Sequence, residues 1–183
     1  MLERIIAYHC GPALAGIKPA NIVSCRKSRI PDVHKEIERL NVELNKKDIY
    51  LDVICECDKR VLVMAYRKAV LEKHLQNPEI TEFLVDFGYP RFGTVAEYLD
   101  LLRIMINKGG FPHEIGVFLG YPLHDIYGFI NHRDEGCLLI GEWRVYKDVE
   151  NAKKLFLRYK ACKNAVLKRV ISGHTLAQIF CAA

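Results

Sequence analysis

The sequence lacks the features that mark several specialised classes of protein. No apolar run is long enough to span a bilayer, and the first residues do not have the layout of a signal peptide. We find no internal repeat and no low-complexity tract, which argues against solenoids and disordered chains. The seven cysteines are an odd number and are scattered, so they do not suggest a disulfide framework. Together these absences predict a cytoplasmic protein with reduced thiols and without a membrane partner.

The composition is that of an ordinary folded protein. Of the 183 residues, 50% are hydrophobic and 27% are charged, so we expect a single domain over residues 1–183 with a substantial core. The net charge of +5 is a mild excess that permits an anionic partner without requiring one. No motif specifies a cofactor or an oligomeric state.

Hydrophobic periodicity predicts alternating strands and helices after an irregular opening, in which an apolar turn at 2–7 leads into a glycine- and proline-rich loop. The helix at 94–107 has Thr94 as its capping residue. In chain order the predicted elements are a strand at 21–25, a helix at 31–47, strands at 50–57 and 61–66, helices at 68–75, 79–87 and 94–107, a helix pair within 112–131, a strand at 138–146 and a helix at 148–171.

Two of the predicted strands are joined by the short polar segment 58–60, which favours an antiparallel hairpin. The fold class predicted is therefore α+β: a mixed sheet that contains this hairpin, with helices packed on it and a central all-helical subdomain at about 68–131. If the hairpin and the strand at 138–146 share a sheet, we expect a common set of positions to be largely buried: Cys55, Cys57, Val61, Val63 and residues 138–140.

The stretch 109–122 has the clearest local signals. Gly109 and Gly110 can close the preceding helix, because glycine adopts the left-handed conformation without a steric penalty. Pro112 suits the first turn of a new helix, and Gly116 allows close approach of a neighbouring helix. A second turn at 120–122 then precedes another helix. We therefore predict two short helices joined by a tight turn.

The same stretch resembles part of an uncharacterised bacterial family of small cytoplasmic proteins, known only as a domain of unknown function. The resemblance covers nearly the whole chain and implies membership of one family without implying an activity. Its blocks are His9-Cys10-Gly11-Pro12 with Leu14-Ala15-Gly16-Ile17-Lys18, FPHEIGVFLGYPLHDIYGFI at 111–130, and Trp143-Arg144-Val145-Tyr146.

The preferred functional hypothesis is a site for a small anionic metabolite or cofactor, with or without catalysis. Backbone N–H groups at the start of the helix near Pro112 favour a negative group, and His113 and Glu114 supply an acid/base pair there. The remaining candidates are charge partners and aromatic walls of that site: Lys18, Arg60, Arg67, Trp143 and Tyr146.

Cys10 is a conditional candidate for a nucleophilic thiol. It lies in a glycine-containing stretch beside His9, and an imidazolium can lower the pKa of a neighbouring thiol. The alternative is a buried, inert cysteine, which is the usual state of this residue.

A metal site is not predicted. Cys55 and Cys57 alternate along a strand and so share one face, but no second cysteine pair at zinc-site spacing accompanies them.

Two other functions remain open at this stage. Residues 112–131 match a helix-turn-helix, which would make the protein a nucleic-acid-binding regulator. The second helix, however, offers no lysine or arginine at 123–131, and Asp125 would repel phosphate. The other alternative is a protein-interaction module without chemistry, which a flat apolar patch in place of a pocket would favour.

Overall fold

A three-stranded antiparallel sheet lies at the centre of the protein. The structure, a computed structural model, describes residues 1–133 and 135–180. The strands are β1 (Ala20–Arg26), β2 (Ile49–Glu56) and β3 (Arg60–Arg67), in the order β1-β3-β2. In the register, Val63 of β3 lies between Val23 of β1 and Val53 of β2. The predicted hairpin and the α+β class are confirmed.

The helices pack on both faces of this sheet. None in the described part of the chain combines the length and hydropathy that a membrane span requires. Their bounds are α1 (Leu2–Leu14), α2 (Val33–Leu44), α3 (Lys68–Leu75), α4 (Pro78–Asp86), α5 (Val95–Asn107), α6 (Ile115–Phe118), α7 (Leu123–His132), α8 (Val149–Ile171) and α9 (Leu176–Phe180).

The alternation of side chains along β3 divides the interior into two cores. Val63 and Ala65 face the core formed with α1, α2, α8 and α9. Met64 and Tyr66 face the opposite way, into the core formed with the helices from α3 to α7. Both faces of the sheet are therefore covered, which explains why this strand is apolar nearly throughout.

Thr94 caps the start of α5 as predicted. Its side chain accepts a hydrogen bond from the backbone N–H of Glu97, and the Glu97 carboxylate accepts one in return from the N–H of Thr94. This reciprocal pair is a capping box and satisfies two backbone donors at the helix start.

The beginning of the chain differs from the prediction. Residues 2–14 form one helix that passes through Gly11 and Pro12, where a loop was expected. The two residues have a packing role: a Cβ on Gly11 would come within 3.3 Å of Lys163 Cα on α8. Tertiary packing of α1 on α8 therefore outweighs the poor helix propensity of this segment.

The segment at 138–146 also differs. It folds back on itself as β4 (Leu139–Ile140) and β5 (Arg144–Val145), a separate antiparallel pair, and does not join the central sheet. Leu138 and Ile140 are consequently exposed, and so is Cys57 at the end of the hairpin. The central sheet has only antiparallel pairings among the described residues, so the expectation of a mixed sheet is corrected.

The helix pair within 112–131 is present as α6 and α7, although α6 starts at Ile115 and not at Pro112. Gly116 is the contact point between the helices. A Cβ there would lie 3.1 Å from the Tyr121 ring and 3.2 Å from Ile126. Such distances are tighter than ordinary van der Waals contact and require the neighbours to move.

We expect Gly116→Ala to lower the free energy of unfolding by about 1–2 kcal/mol, because overpacking outweighs the gain in helix propensity. Urea denaturation would measure the change. An unchanged midpoint would contradict close packing at Gly116.

Candidate functional site

Asp125 organises the region around α7 and the β4–β5 hairpin. It lies in the first turn of α7 and is only 2% exposed. Its Oδ2 accepts a hydrogen bond from Trp143 Nε1 at 2.7 Å. Its Oδ1 accepts the backbone N–H groups of Tyr146 at 2.7 Å and Lys147 at 3.2 Å. One buried carboxylate therefore ties the hairpin to α7.

The indole of Trp143 is held on three sides. It stacks on the Tyr121 ring with centroids 5.1 Å apart, and it meets the edge of Phe156 at 4.6 Å. Together with its hydrogen bond to Asp125, these contacts leave the ring one orientation. Trp143 is thus a rigid wall and not a mobile side chain.

A cleft of about 350 Å³ lies beside this wall. Aromatic and aliphatic side chains make most of its surface, and the polar groups are few. The guanidinium of Arg144 lies 5.8 Å from the centroid of the Phe129 ring, and His113 meets the same ring edge-on at 5.3 Å. The lining residues are Phe111, Pro112, His113, Ile115, Gly116, Leu119, Tyr121, Asp125, Ile126, Phe129, Trp143 and Arg144.

His113 and Glu114, the predicted acid/base pair, have different surroundings. His113 is exposed and lines the cleft. Glu114 is 4% exposed, and its Oε1 accepts a hydrogen bond from the Tyr89 hydroxyl at 3.4 Å. Burial, with the nearby Glu114 carboxylate, raises the pKa of Tyr89. Because Glu114 contacts Tyr89 and is not part of the cleft lining, the geometry does not support joint acid/base action of the two residues.

Cys10 lies inside α1 and has no exposed surface. Burial raises the pKa of its thiol far above the usual range, and the neighbouring Cys25 adds to this effect. A protonated, inaccessible thiol is a poor nucleophile, so these surroundings argue against the suggested role of Cys10.

Lys18 is buried between two tyrosine rings. Its ammonium lies 5.3 Å from the ring centroid of Tyr121 and 5.4 Å from that of Tyr159, and the residue is 3% exposed. Its pKa is lowered to about 8, chiefly by burial; the nearby Glu142 carboxylate opposes this shift, and the nearby cation Lys163 contributes to it. Lys18 does not line the cleft. Tyr121, whose ring lies against the ammonium of Lys18, does line it.

The two predicted arginines lie elsewhere. Arg67 donates from Nε to the carbonyl of Leu14 at 2.7 Å and from a terminal nitrogen to the carbonyl of Lys47 at 2.9 Å. It therefore holds the end of α1 against the end of β3. Arg60 is exposed at the start of β3. Neither is among the residues that line the cleft.

Tyr146 has a structural place beside the site. Its hydroxyl donates to the carbonyl of Arg133, and its ring covers Gly128, where a Cβ would come within 2.4 Å of the ring. The residues predicted for the site are thus found partly in the lining of the cleft and partly outside it. Trp143 and His113 line the cleft, while Tyr146, Lys18 and Glu114 lie around it.

The helix-turn-helix arrangement is not supported by these contacts. The first helix, α6, has four residues, and Asp125 is turned inward to the hairpin. Leu123 is partly buried as well, whereas His124, Tyr127 and Asn131 of the same helix are exposed. In the described part of the chain, no group of three or more His, Cys, Asp or Glu side chains is arranged to hold a metal.

Comparison with known proteins agrees with an uncharacterised family. Residues 6–180 match the model of a family described as Protein of unknown function (DUF3793). The chain belongs to the DUF3793 family. No curated protein and no solved structure matches it. The DUF3793 match includes every residue of the cleft and the whole cluster around Lys18, and it confirms the family resemblance without assigning an activity.

Sequence reasoning missed several residues that shape this region of the DUF3793 chain. The helix-turn-helix hypothesis places Asp125 on the DNA-facing side of the second helix, whereas the structure buries it. Its pairing with Trp143 had no sequence signal, because 18 residues separate them. The roles of Phe129 and Arg144 likewise depend on a contact between distant segments.

Proposed function

We propose that the protein binds a small anionic molecule with a flat apolar body in the cleft between α6, α7 and the β4–β5 hairpin. The observation that carries the proposal is the pairing of a largely apolar, aromatic-walled cleft with two basic side chains, His113 and Arg144. A ligand needs both an apolar surface and a negative group to use such a site.

The dimensions and walls define the ligand further. A volume of about 350 Å³ is at the small end of the usual range for small-molecule sites. Trp143 is held rigid by its neighbours, and Phe129 faces both basic groups. Flat rings are recognised by such aromatic walls through stacking or edge contacts. The guanidinium of Arg144 suits a carboxylate, sulfonate or phosphate, because its N–H donors match their oxygen atoms.

Binding of a small molecule in the cleft is favoured over the two alternative functions, nucleic-acid binding and protein interaction without chemistry. A nucleic-acid regulator needs an exposed basic recognition helix, whereas α7 has a buried aspartate in its first turn and no lysine or arginine. An interaction module without chemistry would be favoured by a flat apolar patch, whereas the apolar surface here is concave.

The test uses two fluorescent probes of matched shape. One is 1-anilinonaphthalene-8-sulfonate, which is flat and anionic, and the other is the neutral N-phenyl-1-naphthylamine. We expect the native protein to bind both. Arg144→Met should weaken binding of the anionic probe by about tenfold, the equivalent of one charge-assisted contact of about 1.4 kcal/mol. Binding of the neutral probe should change little.

Two further variants locate the binding. Phe129→Ala removes an aromatic wall and should weaken both probes, whereas Arg91→Met, an exposed arginine on the far loop, should affect neither. Each variant is checked by urea denaturation, since partly folded protein with exposed apolar surface also binds such dyes. If neither probe binds, or if Phe129→Ala leaves their affinities unchanged, the cleft is not the binding site.

A further inference from the structure

A second cavity, of about 700 Å³, lies between the end of α3, the start of α4 and the start of α7. It shares Tyr121 with the cleft of the proposed function, but the rest of its lining differs. Among the described residues that line it there is no lysine or arginine, whereas the cleft contains Arg144. The polar side chains of its lining are those of His74, Asn77, Glu79, Tyr121, His124 and Tyr127.

His74 offers this cavity a hydrogen-bond acceptor. Its Nε2 lies 2.9 Å from the carbonyl oxygen of Val117. A carbonyl oxygen only accepts hydrogen bonds, so Nε2 carries the hydrogen of the neutral ring and Nδ1 is left with a lone pair. Burial lowers the pKa of His74 from its ordinary value, and the hydrogen bond to Val117 opposes the shift. The neutral ring is therefore the form present at pH 7.

The lone pair on Nδ1 is open to solvent. Val117 is the one hydrogen-bond partner of the His74 side chain among the described residues. In the same part of the chain, every buried side-chain nitrogen or oxygen has a partner, so the unpaired Nδ1 is not buried. Because His74 lines the cavity, a molecule held there can donate a hydrogen bond to this nitrogen.

Glu79 gives the cavity a negative charge. It is exposed in the first turn of α4, and its carboxylate has no ion-pair partner among the described residues. The dipole of α4 offsets only about half of this charge. At the start of α7, the positive end of the helix and His124 have Asp125 beside them, with His124 Nε2 3.5 Å from Asp125 Oδ1. The cavity consequently favours a cation over an anion.

Tyr127 adds an aromatic face to the cavity. The residue is 46% exposed, and its ring meets Phe83 edge-on with the centroids 5.2 Å apart. Ile80 and Leu123 are apolar parts of the same lining. An open aromatic face attracts a cation and also packs against an apolar group. The cavity thus combines a carboxylate, a neutral acceptor nitrogen and an apolar wall.

We propose that this cavity is a second binding site, for a small primary amine in its ammonium form with an apolar body. The ammonium donates a hydrogen bond to Nδ1 of His74 and pairs with Glu79, while the body packs on Tyr127. An organic cation fits better than a metal ion, because the described residues contain no group of three or more His, Cys, Asp or Glu side chains placed to hold a metal. The site prefers the opposite charge to the cleft, so neither proposal depends on the other.

The test compares two probes of equal charge, 2-phenylethylamine and its N,N,N-trimethyl derivative, each titrated into the protein at pH 7.5 and followed by NMR. An alkylammonium with a pKa near that of lysine is protonated at this pH. The trimethyl probe has no N–H group and cannot donate to His74. We expect the primary amine to bind about tenfold more tightly, which is the effect of one hydrogen bond to a charged group. His74→Phe, which keeps a ring but removes the acceptor, should abolish this difference.

Two variants of α4 test the role of the carboxylate. Glu79→Gln should weaken both probes about threefold, as expected for an exposed ion pair. Asp86→Asn, which changes an exposed acid at the end of the same helix, should affect neither. Urea denaturation of each variant verifies that it is folded.

The outcomes that would overturn the proposal are separate from those of the dye experiment. Equal or tighter binding of the trimethyl probe by the wild type would exclude the hydrogen bond to His74, whether or not His74→Phe folds. Absence of binding by both amines, or affinities unchanged in Glu79→Gln, would exclude the site. Loss of amine binding in Phe129→Ala would place the amine in the cleft and not in this cavity. None of these results alters the binding of the anionic dye.

Discussion

Asp125→Ala is expected to lower the free energy of unfolding by about 3–5 kcal/mol, because it removes the acceptor of three N–H groups. The indole N–H of Trp143 would be left in the interior with no partner, since Trp143 is 6% exposed. The β4–β5 hairpin would also lose its link to α7. Denaturation with urea, followed by the fluorescence of Trp143, measures the change in the free energy of unfolding.

Two variants distinguish the loss of the buried hydrogen bonds of Asp125 from a general effect of removing a negative charge. Asp125→Asn keeps the shape and one acceptor oxygen, so we expect it to cost clearly less than Asp125→Ala. Glu79→Ala removes an exposed acid from the first turn of α4 and should cost at most about 1 kcal/mol. If Asp125→Ala cost no more than Glu79→Ala, the buried hydrogen bonds would not hold the hairpin in place.

Lys18→Met is expected to raise the free energy of unfolding by about 2 kcal/mol at pH 7. The pKa of Lys18 falls from the ordinary 10.5 to about 8, chiefly through burial, which corresponds to a cost of about 3 kcal/mol for the charged form. The attraction of the ammonium to the rings of Tyr121 and Tyr159 offsets about 1 kcal/mol. A buried methionine keeps the apolar contacts of the lysine stem without this cost.

The pH dependence gives an independent check. Below pH 8, Lys18 is protonated in both the folded and the unfolded chain, so the wild type carries the full cost. Between pH 8 and about 10.5, the unfolded chain binds the proton and the folded chain does not, so the wild type gains stability with rising pH. The difference between Lys18→Met and the wild type should therefore shrink over this interval and disappear above it.

The control for Lys18→Met is Lys160→Met, which changes an exposed lysine on α8. We expect its stability to follow that of the wild type at every pH. A Lys18→Met protein that is less stable than the wild type at pH 7 would show that the ammonium is satisfied in the folded chain.

Local signals predicted much of the fold. The short polar link at 58–60 identified the hairpin, and Thr94 marked the start of α5, because both signals depend on residues close together in sequence. The opening helix was missed, since Gly11 and Pro12 oppose a helix locally. Its stability comes from packing against α8, more than 130 residues later.

The candidate site, like the fold, was predictable from the sequence only in part. The blocks with the family resemblance were recognisable in the sequence, and His113 and Trp143 do line the cleft. Their partners were not predictable, because Asp125 meets Trp143 and Phe129 meets Arg144 only through the docking of the β4–β5 hairpin on α7. The predicted pairing of His113 with Glu114 is not seen, since adjacent residues in a turn can face different surroundings.

The sequence by itself determined the α+β class, the hairpin, most helix boundaries and the close contact at Gly116, because each follows from periodicity or turn chemistry over a few residues. Only the tertiary structure decided that 138–146 folds back as a separate hairpin, that Asp125 is buried beneath it, and that Lys18 lies between two tyrosines. Burial and electrostatic surroundings are set by segments far apart in the chain, and local pattern carries no information about which of them meet.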